Sequence, residues 1–279
     1  MRKMMNKRYK SLMFVPASRL DLAAQAHKHN ADAVILDLED GVASEDKNIA
    51  REKLASTVDQ ITKNGKQVLV RINPLENGGQ NDLHALSAEQ VPAILLPKII
   101  DKNQIFAVID YWKLIGKNND DLSLLPMIEC PEGMFNANEI AKSCSKITAL
   151  IFGSEDFAAQ AGLDTTIKAL TNPAQMVALA AAASDLPAYG LPGSIANYHD
   201  MGLFEETVKM AKAIGYSGSL CIHPRQVQVA NKIFKPTREE ITWAQTIIKQ
   251  SETDGANGSD LGMIDAPVLT RARALLENQ

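Results

Sequence analysis

The sequence predicts an α/β protein built as a (β/α)8 (TIM) barrel with a C-terminal helical extension. Short apolar runs alternate with longer helical patterns over about 235 residues, which is the rhythm of strand–helix repeats. Most of these runs are continuously apolar, as expected for strands that are buried on both faces of a parallel sheet. About eight such runs can be counted, and a barrel of eight strands usually needs about 250 residues.

An open, doubly wound sheet is the alternative architecture, because it shows the same alternation. Such sheets often carry a G-x-G-x-x-G turn after their first strand, and no such motif follows residues 11–15. The count of strands therefore favours the barrel.

The elements follow from the pattern in chain order. The predicted strands are residues 11–15, 33–38, 67–73, 93–98, 122–129, 147–153, a weak run near Ser194, and 218–222. The predicted helices are residues 19–30, 45–63, 102–115, 133–143, 173–184, 204–214 and 226–234. Residues 76–79, with the sequence ENGG, predict a glycine-rich loop.

The C-terminal region is predicted to lie outside the barrel repeats. Thr237 and Glu240 have the spacing of a capping box, which predicts a further helix to about residue 250. Residues 253–262 are rich in Gly, Asn and Asp and predict a linker, followed by a short final helix. We therefore assign residues 1–251 to the barrel domain and residues 252–279 to a linker and C-terminal extension.

The composition excludes several classes of protein. Of the 279 residues, 46% are hydrophobic and 22% are charged, the net charge is −4, and the two signs are interspersed, so a nucleic-acid-binding surface is disfavoured. No stretch approaches the roughly 20 apolar residues of a membrane span. Cys130, Cys144 and Cys221 lack metal-ligand spacing and suit a reducing compartment. We expect a cytoplasmic protein.

Carboxylates follow several predicted strands, and strand ends meet at one face of a parallel barrel. Several carboxylates in one cavity repel each other unless a cation neutralises them. Mg²⁺ fits best, because it uses few protein carboxylates and completes its shell with water and substrate. We predict that Glu129 and Asp156 bind it, since each closes or follows an apolar strand. The alternative for both residues is helix capping or loop solvation.

Other polar residues at strand ends leave more than one interpretation open. Asp37 and Glu39 share a side of the chain, and we expect Glu39 and Asp40 to contact water bound to the metal. Arg71 is either neutralised by these carboxylates or available for an anionic substrate group. Lys98 is more easily explained as a charge partner than as a Schiff-base lysine. His223 either binds a ligand or hydrogen-bonds a backbone carbonyl, and we favour the carbonyl.

Eight segments, in order, resemble the citrate lyase β-subunit-like CoA-ester lyases of the HpcH/HpaI aldolase superfamily, and together they extend over nearly the whole chain. They are SLMFVP (11–16), DLEDGV (37–42), VRIN (70–73), LPK (96–98), MIE (127–129), FGSEDF (152–157), IHPRQV (222–227) and MIDAP (263–267).

This resemblance implies a Mg²⁺-dependent lyase that cleaves or forms the C–C bond of a β-hydroxyacyl-CoA, such as citramalyl-, malyl- or citryl-CoA, giving an acetyl-CoA-type thioester and a 2-oxo acid. It implies that the C-terminal extension is a lid whose Asp265 is the acid/base. It also implies that Arg71 stabilises the enolate, and that Pro16, Ser18 and Arg19 meet the CoA moiety. A homotrimer or hexamer that exchanges lids is expected.

The chain departs from these relatives at several positions, some of them in the seventh- and eighth-strand loops that help shape the substrate pocket. Residues 189–198 replace an Asp-rich stretch, Ser219 replaces a Lys, Ala17 replaces a Gly, and Cys130 follows the expected metal ligand Glu129. Three alternatives therefore stay open: a subunit of a citrate lyase complex, a malyl-CoA-type thioesterase, and a non-catalytic protein that binds CoA esters.

Overall fold

The computed structural model describes residues 8–86, 93–117, 122–253 and 265–277. The chain forms two compact units, the first ending at Asn231 and the second beginning at Lys232. The sequence-based boundary between residues 251 and 252 separates the catalytic barrel from the linker and lid, so it is a different division from the one between the compact units. It stays a prediction.

The first unit is the predicted barrel of eight parallel strands. The strands are β1 Ser11–Pro16, β2 Ala33–Asp37, β3 Gln67–Arg71, β4 Ala93–Leu96, β5 Ser123–Ile128, β6 Leu150–Phe152, β7 Ala188–Tyr189 and β8 Ser219–Cys221. Their spatial order is β7-β6-β5-β4-β3-β2-β1-β8. A parallel bridge between Tyr189 and Gly218 joins β7 to β8, so the sheet closes on itself.

Side chains from the strands fill the interior of the barrel. Leu12, Ile35, Leu69, Leu95 and Ile151 belong to one buried cluster with residues of the neighbouring strands. Because successive residues of a strand point to opposite faces, their neighbours along the chain are buried against the outer helices. This explains why the strands read as continuous apolar runs rather than as alternating ones.

Helices connect the strands and begin at the carboxyl end of the barrel. In the first unit these are α1 Leu20–Gln25, α2 Lys47–Lys63, α3 Gly79–Ala85, α4 Lys102–Leu114, α5 Pro131–Ala141, α6 Ser154–Ala161, α7 Ile167–Ala182, α8 Met201–Ala213 and α9 Pro224–Phe234, whose last three residues fall in the second unit. Asp101 opens α4 with a capping box that Gln104 completes, so two free backbone N–H groups are satisfied.

Four elements differ from the sequence-based assignments. The seventh strand is Ala188–Tyr189 rather than the run near Ser194, because a two-residue strand is too short to leave a pattern. Helix α3 begins at Gly79, the last residue of the predicted loop, and neither α3 nor α6 was predicted. Helix α7 begins at Ile167, where Thr166 caps it, and it contains Pro173 in its interior, where the sequence had suggested a start.

The second unit contains helices α10 Arg238–Thr253 and α11 Ala266–Glu277. Thr237 and Glu240 form the predicted capping box, with Thr237 Oγ1 accepting from Glu240 N at 3.1 Å. Ala244 and Ile247 of α10 are buried together with Ala272 of α11, so the two helices share a small core. Residues 254–264 of the expected linker and lid lie outside the described residues.

Close packing where β8 begins gives a prediction about stability. A Cβ atom on Gly218 would lie under 3.0 Å from the backbone carbonyl oxygen of Tyr9. We expect Gly218→Ala to lower the free energy of unfolding by about 1–3 kcal/mol, the usual cost of overpacking, in urea denaturation. Gly202→Ala is the control, because its new Cβ meets nothing closer than 3.4 Å and alanine suits a helix better. Equal stability of the two variants would contradict the expected clash.

Candidate active site at the carboxyl ends of the strands

The last residues of β2 and β3 form a buried ion pair. Asp37 and Arg71 are register partners on adjacent parallel strands. Arg71 Nε donates to Asp37 Oδ1 and Arg71 Nη2 donates to Asp37 Oδ2, both at 2.7 Å. Phe14 of β1 lies under the guanidinium, 4.9 Å from its carbon to the ring centroid. This bidentate geometry is the strong form of the arginine–carboxylate interaction.

Glu39 links Arg71 to a second cation. Its carboxylate lies 3.0 Å from Arg71 Nη1 and 2.8 Å from Lys98 Nζ, while the exposed Asp40 lies 3.7 Å from both nitrogens. Burial raises the pKa of Glu39 against the opposing effect of the two cations. Burial would lower the pKa of Arg71, but the hydrogen bonds and charge of Asp37, followed by Glu39, raise it overall. Arg71 is therefore a permanent positive charge inside the barrel mouth.

The structure brings the predicted residues of this cluster together and resolves the two interpretations of Arg71 in part. Its guanidinium is neutralised by carboxylates, yet three of its five N–H groups account for the contacts at 3.0 Å or less. Among the described residues, the other two N–H groups make no contact of 3.0 Å or less, and Asp40 lies 3.7 Å from Nη1. Lys98 is a charge partner of Glu39, as expected, and it adopts a left-handed backbone conformation with φ of 55°.

Glu129 follows β5 and is almost completely buried, with 1% of its surface exposed. Its Oε2 accepts a hydrogen bond from the backbone N–H of Lys98 at 2.7 Å. Burial, followed by the charges of Glu39 and Asp156, raises the pKa of Glu129 to about 8 against the opposing effects of the Lys98 N–H and Arg71. At neutral pH this carboxyl is therefore mainly protonated unless a cation compensates its charge.

Gly153 leaves the space that the Glu129 carboxyl occupies. A Cβ on Gly153 would lie under 3.0 Å from Oε1, Cδ and Cγ of Glu129. Asp156 lies in the first turn of α6, three residues later, and its charge acts on both Glu129 and Lys98. Two carboxyl groups from β5 and α6 therefore share one electrostatic environment.

This donor set fits a hard cation that binds few protein ligands. In the part of the chain that the structure describes, no group of three or more His, Cys, Asp or Glu side chains has the arrangement of a metal site. That rules out a fully protein-ligated site such as a structural zinc within those residues. Two carboxyl groups that act on each other electrostatically fit a partly hydrated Mg²⁺, which binds one or two protein carboxylates and completes its shell with water and substrate.

A second polar network supports the loop after β2. Asn73 is buried, and its Nδ2 donates to the carbonyl oxygen of Leu38 at 2.8 Å and to Asp82 Oδ2 at 2.7 Å. Asp82 also accepts from the backbone N–H of Asn73 and from Arg51 Nε, each at 2.7 Å. Sequence reasoning missed Asp82, because only its contacts, and no pattern in the sequence, connect it to the strand ends.

The loop after β7 is fixed by two side chains. Ser194 Oγ donates to Glu155 Oε1 at 2.5 Å, and Gln226 Nε2 donates to the carbonyl oxygen of Ile195 at 2.7 Å. Gln226 is fully buried and also accepts the backbone N–H groups of Ile222 and His223. The loop after β7 and the end of β8 are therefore one connected structure.

The hydrogen-bond partner predicted for His223, a backbone carbonyl, was wrong. Its Nδ1 accepts the backbone N–H of Arg225 at 3.2 Å rather than donating to a carbonyl, because the ring stands where helix α9 begins and N–H groups are free there. The ring stacks on Tyr198 at 5.3 Å between centroids. Burial, followed by Arg225, lowers its pKa, so the neutral ring is favoured.

The residues expected to meet CoA follow β1. Pro16 ends the strand, Ser18 is half-buried, and the exposed Arg19 pairs with Asp21 at 2.8 Å. Asp265 belongs to the second unit, where it is exposed and caps α11 by accepting the Val268 N–H at 3.1 Å. The roles expected for these four residues stay predictions.

The contact between Gly153 and Glu129 gives a direct test of the site. We expect Gly153→Ala to displace the Glu129 carboxyl and to weaken Mg²⁺ binding by ~10–100-fold, the scale for residues that orient a metal ligand. Isothermal titration calorimetry measures this affinity, with Gly202→Ala as a matched control. Unchanged affinity in a folded Gly153→Ala protein would remove Glu129 from the metal site.

Known proteins with similar sequences fall in one group. The chain is 28% identical to citrate lyase subunit beta of Haemophilus influenzae, with 96% of each chain covered. It is 28% identical to (3S)-malyl-CoA thioesterase of Cereibacter sphaeroides (97% of this chain, 93% of the relative). It is 29% identical to mitochondrial citramalyl-CoA lyase of Homo sapiens (95% and 83%).

A solved structure agrees with this grouping. CitE of Mycobacterium tuberculosis, in complex with magnesium, acetoacetate and coenzyme A, superposes with a TM-score of 0.75 at 29% identity and covers 96% of this chain and 97% of its own. The sequence model of the HpcH/HpaI aldolase/citrate lyase family matches residues 10–224. The chain therefore belongs to the HpcH/HpaI aldolase/citrate lyase family.

Proposed function

We propose that this protein is a Mg²⁺-dependent carbon–carbon lyase that acts on a β-hydroxyacyl-CoA. The observation that carries the proposal is the nearly fully buried Glu129 carboxyl, which accepts the Lys98 N–H and lies in the electrostatic field of Asp156 and Arg71. Citramalyl-, malyl- and citryl-CoA are the candidate substrates. The solved relative that contains magnesium, a 3-oxo acid and coenzyme A together supports this choice of ligands.

Glu129 and Asp156 would hold the cation. When bound, Mg²⁺ supplies positive charge that binds the carboxylate and the adjacent oxygen of a 2-oxo or 2-hydroxy acid and acidifies the hydroxyl group. The protein's part is to keep these two carboxyl groups apart from bulk water and to keep Glu39 occupied with Arg71 and Lys98. Glu39, whose charge acts on Glu129, and Asp40 would hydrogen-bond water bound to the cation.

Arg71 would stabilise the negative charge that develops on the thioester. In the cleavage direction a base removes the proton of the β-hydroxyl group, the carbonyl of the 2-oxo acid forms, and the C–C bond breaks. The bonding electron pair moves onto the thioester as an enolate, which then takes a proton at its α-carbon. A guanidinium with a raised pKa suits the enolate oxygen, since it stays charged throughout.

Asp265 would act as the base, and Pro16, Ser18 and Arg19 would bind the CoA moiety. A carboxylate that accepts the hydroxyl proton during cleavage can also remove the α-proton of the thioester during condensation. We further propose that the residues of the C-terminal extension act as a lid in a homotrimer or hexamer, because closure would exclude the water that protonates an enolate prematurely.

Thioester hydrolysis is the second candidate, because one of the similar proteins is a (3S)-malyl-CoA thioesterase. Membership of a citrate lyase complex is a third, given the similarity to citrate lyase subunit beta. A non-catalytic role fits less well, because a protein that only binds CoA esters has no need for four buried or half-buried charged groups around Glu129.

The deciding experiment is a mass-spectrometric screen of malyl-, citramalyl- and citryl-CoA with Mg²⁺. A lyase releases a 2-oxo acid, which a coupled dehydrogenase detects, whereas a thioesterase releases free CoA and the intact hydroxy acid. Mg²⁺-dependent release of a 2-oxo acid is the expected result. No turnover of any of the three thioesters would contradict the proposal.

Removing either metal-binding carboxylate should abolish Mg²⁺-dependent cleavage. We expect Glu129→Gln and Asp156→Asn each to reduce Mg²⁺ affinity below detection in isothermal titration, because a neutral amide cannot replace the charge. Glu132→Gln is the matched control: this exposed residue lies three positions further along the same strand–helix junction. Normal Mg²⁺ affinity in both site variants would refute the assignment.

Asp265 can be tested without disturbing its helix. Because asparagine caps a helix about as well as aspartate, Asp265→Asn should keep α11 and its stability. We expect turnover to fall by ~10²–10⁴-fold while Mg²⁺ and CoA-ester binding stay intact. Asp101→Asn, which changes the cap of α4 in the same way, should keep full turnover. If Asp265→Asn also keeps full turnover, Asp265 is not the base.

A further inference from the structure

One further buried carboxylate, that of Asp82, lies outside the cluster around Arg71. Asp82, in the middle of α3, has no exposed surface. Its only cationic partner among the described residues is Arg51 of α2, at 2.7 Å from Nε to Oδ1. Burying a charge costs several kcal/mol unless hydrogen bonds repay it, so such a residue requires an explanation. The chemistry proposed above does not use it.

The surroundings of Asp82 consist of hydrogen-bond donors. Arg51 Nε donates to Oδ1, while the backbone N–H and the side-chain Nδ2 of Asn73 both donate to Oδ2 at 2.7 Å. An ionised carboxylate, which only accepts, satisfies all three. An asparagine in its place would direct its own N–H groups at one of these donors.

Asn73 transmits this arrangement to the active site. Its Nδ2 also donates to the carbonyl oxygen of Leu38 at 2.8 Å, and its Oδ1 accepts from Lys47 Nζ. Leu38 lies between Asp37 and Glu39, the two carboxylates that contact Arg71. The position of this peptide therefore determines where both carboxylates stand.

Helix α3 also packs closely against the segment that contains Asn73. A Cβ on Gly79, the first residue of α3, would lie under 3.0 Å from the carbonyl oxygens of Asn73 and Pro74. The first residue of α3 is therefore in direct backbone contact with the segment that follows β3. Helix α3 is held against Asn73 both by the Asp82 carboxylate and by this contact.

We propose that Asp82 is a positioning residue for the reaction: through Asn73 and the Leu38 carbonyl it holds the loop of residues 37–41 in the geometry that lets Glu39 engage Arg71 and Lys98. Its effect on turnover rests on the proposed lyase function. Its effect on the loop does not, so the two can be measured separately.

Two readouts test this role. We expect Asp82→Asn to lower kcat by ~10–100-fold with KM for the thioester within about twofold, since the binding groups stay in place. We also expect faster hydrogen exchange at the N–H groups of Glu39 and Gly41, which donate to the Asp37 carboxylate, and unchanged exchange in β4 and β5. A purely structural role would change stability and exchange throughout the barrel and leave kcat of the folded fraction unaltered.

Lys47→Met is the second variant. It removes the ammonium from Asn73 and leaves the buried Asp82–Arg51 pair intact, so it should fold even if Asp82→Asn does not. We expect smaller changes in the same direction, ~3–10-fold in kcat. Asp32→Asn is the control, because Asp32 pairs with Lys10 ahead of β2, at the opposite end of the strand, and should leave kcat and the exchange of Glu39 and Gly41 unchanged.

The possible outcomes separate the two proposals. If no thioester is cleaved by the unaltered protein but exchange rises at Glu39 and Gly41 in both variants, the lyase function fails and the positioning role stands. If the variants fold, and both kcat and this exchange match the unaltered protein, the positioning role is overturned. If Asp82→Asn does not fold, the result for Lys47→Met decides alone.

Discussion

The bidentate ion pair between Arg71 and Asp37 is the interaction on which the rest of the site depends. Both residues are buried, and removing one partner of a buried ion pair typically costs about 3–5 kcal/mol. The pair also fixes the loop after β2, since the two oxygens of Asp37 accept the N–H groups of Glu39 and Gly41. Glu39 is thereby brought to Arg71 and Lys98.

The site therefore carries more carboxylates than cations. Arg71 and Lys98 already form ion pairs with Asp37 and Glu39. These two cations therefore cannot also neutralise the charges of Glu129 and Asp156. Burial of Glu129 makes its ionised form still less favourable. A site with this charge balance takes up either protons or a cation, and the second option gives the carboxyl groups a chemical use.

The barrel topology and much of the site could be predicted from the sequence because both leave local patterns. Glu129 and Arg71 each end or follow a run of apolar residues, and parallel strands bring such ends together. Glu39 and Asp40 could be named as partners of Arg71 for the same reason, whereas the bidentate partner Asp37 was not predicted. The left-handed conformation of Lys98, which lets its N–H meet Glu129 while its ammonium meets Glu39, has no signal in the sequence.

The parts that could not be predicted depend on contacts between distant residues. Helix α3 begins with a glycine, which local propensity assigns to a loop, but Gly79 is required there because the carbonyl oxygen of Asn73 lies too close for any side chain. Strand β7 has two residues and is defined by its partners on β6 and at Gly218. Asp82 and Gln226 likewise act through hydrogen bonds that only the fold reveals.

A crystal structure of the protein soaked with Mg²⁺ and a 2-oxo acid tests the central claim most directly. We expect one cation with oxygen atoms of Glu129 and Asp156 at about 2.0–2.1 Å, and with water and the oxo acid completing its octahedral shell. The carboxylates of Asp37 and Glu39 should stay on Arg71 in that structure. A cation bound elsewhere, or Glu129 and Asp156 directed into separate cavities, would contradict the account.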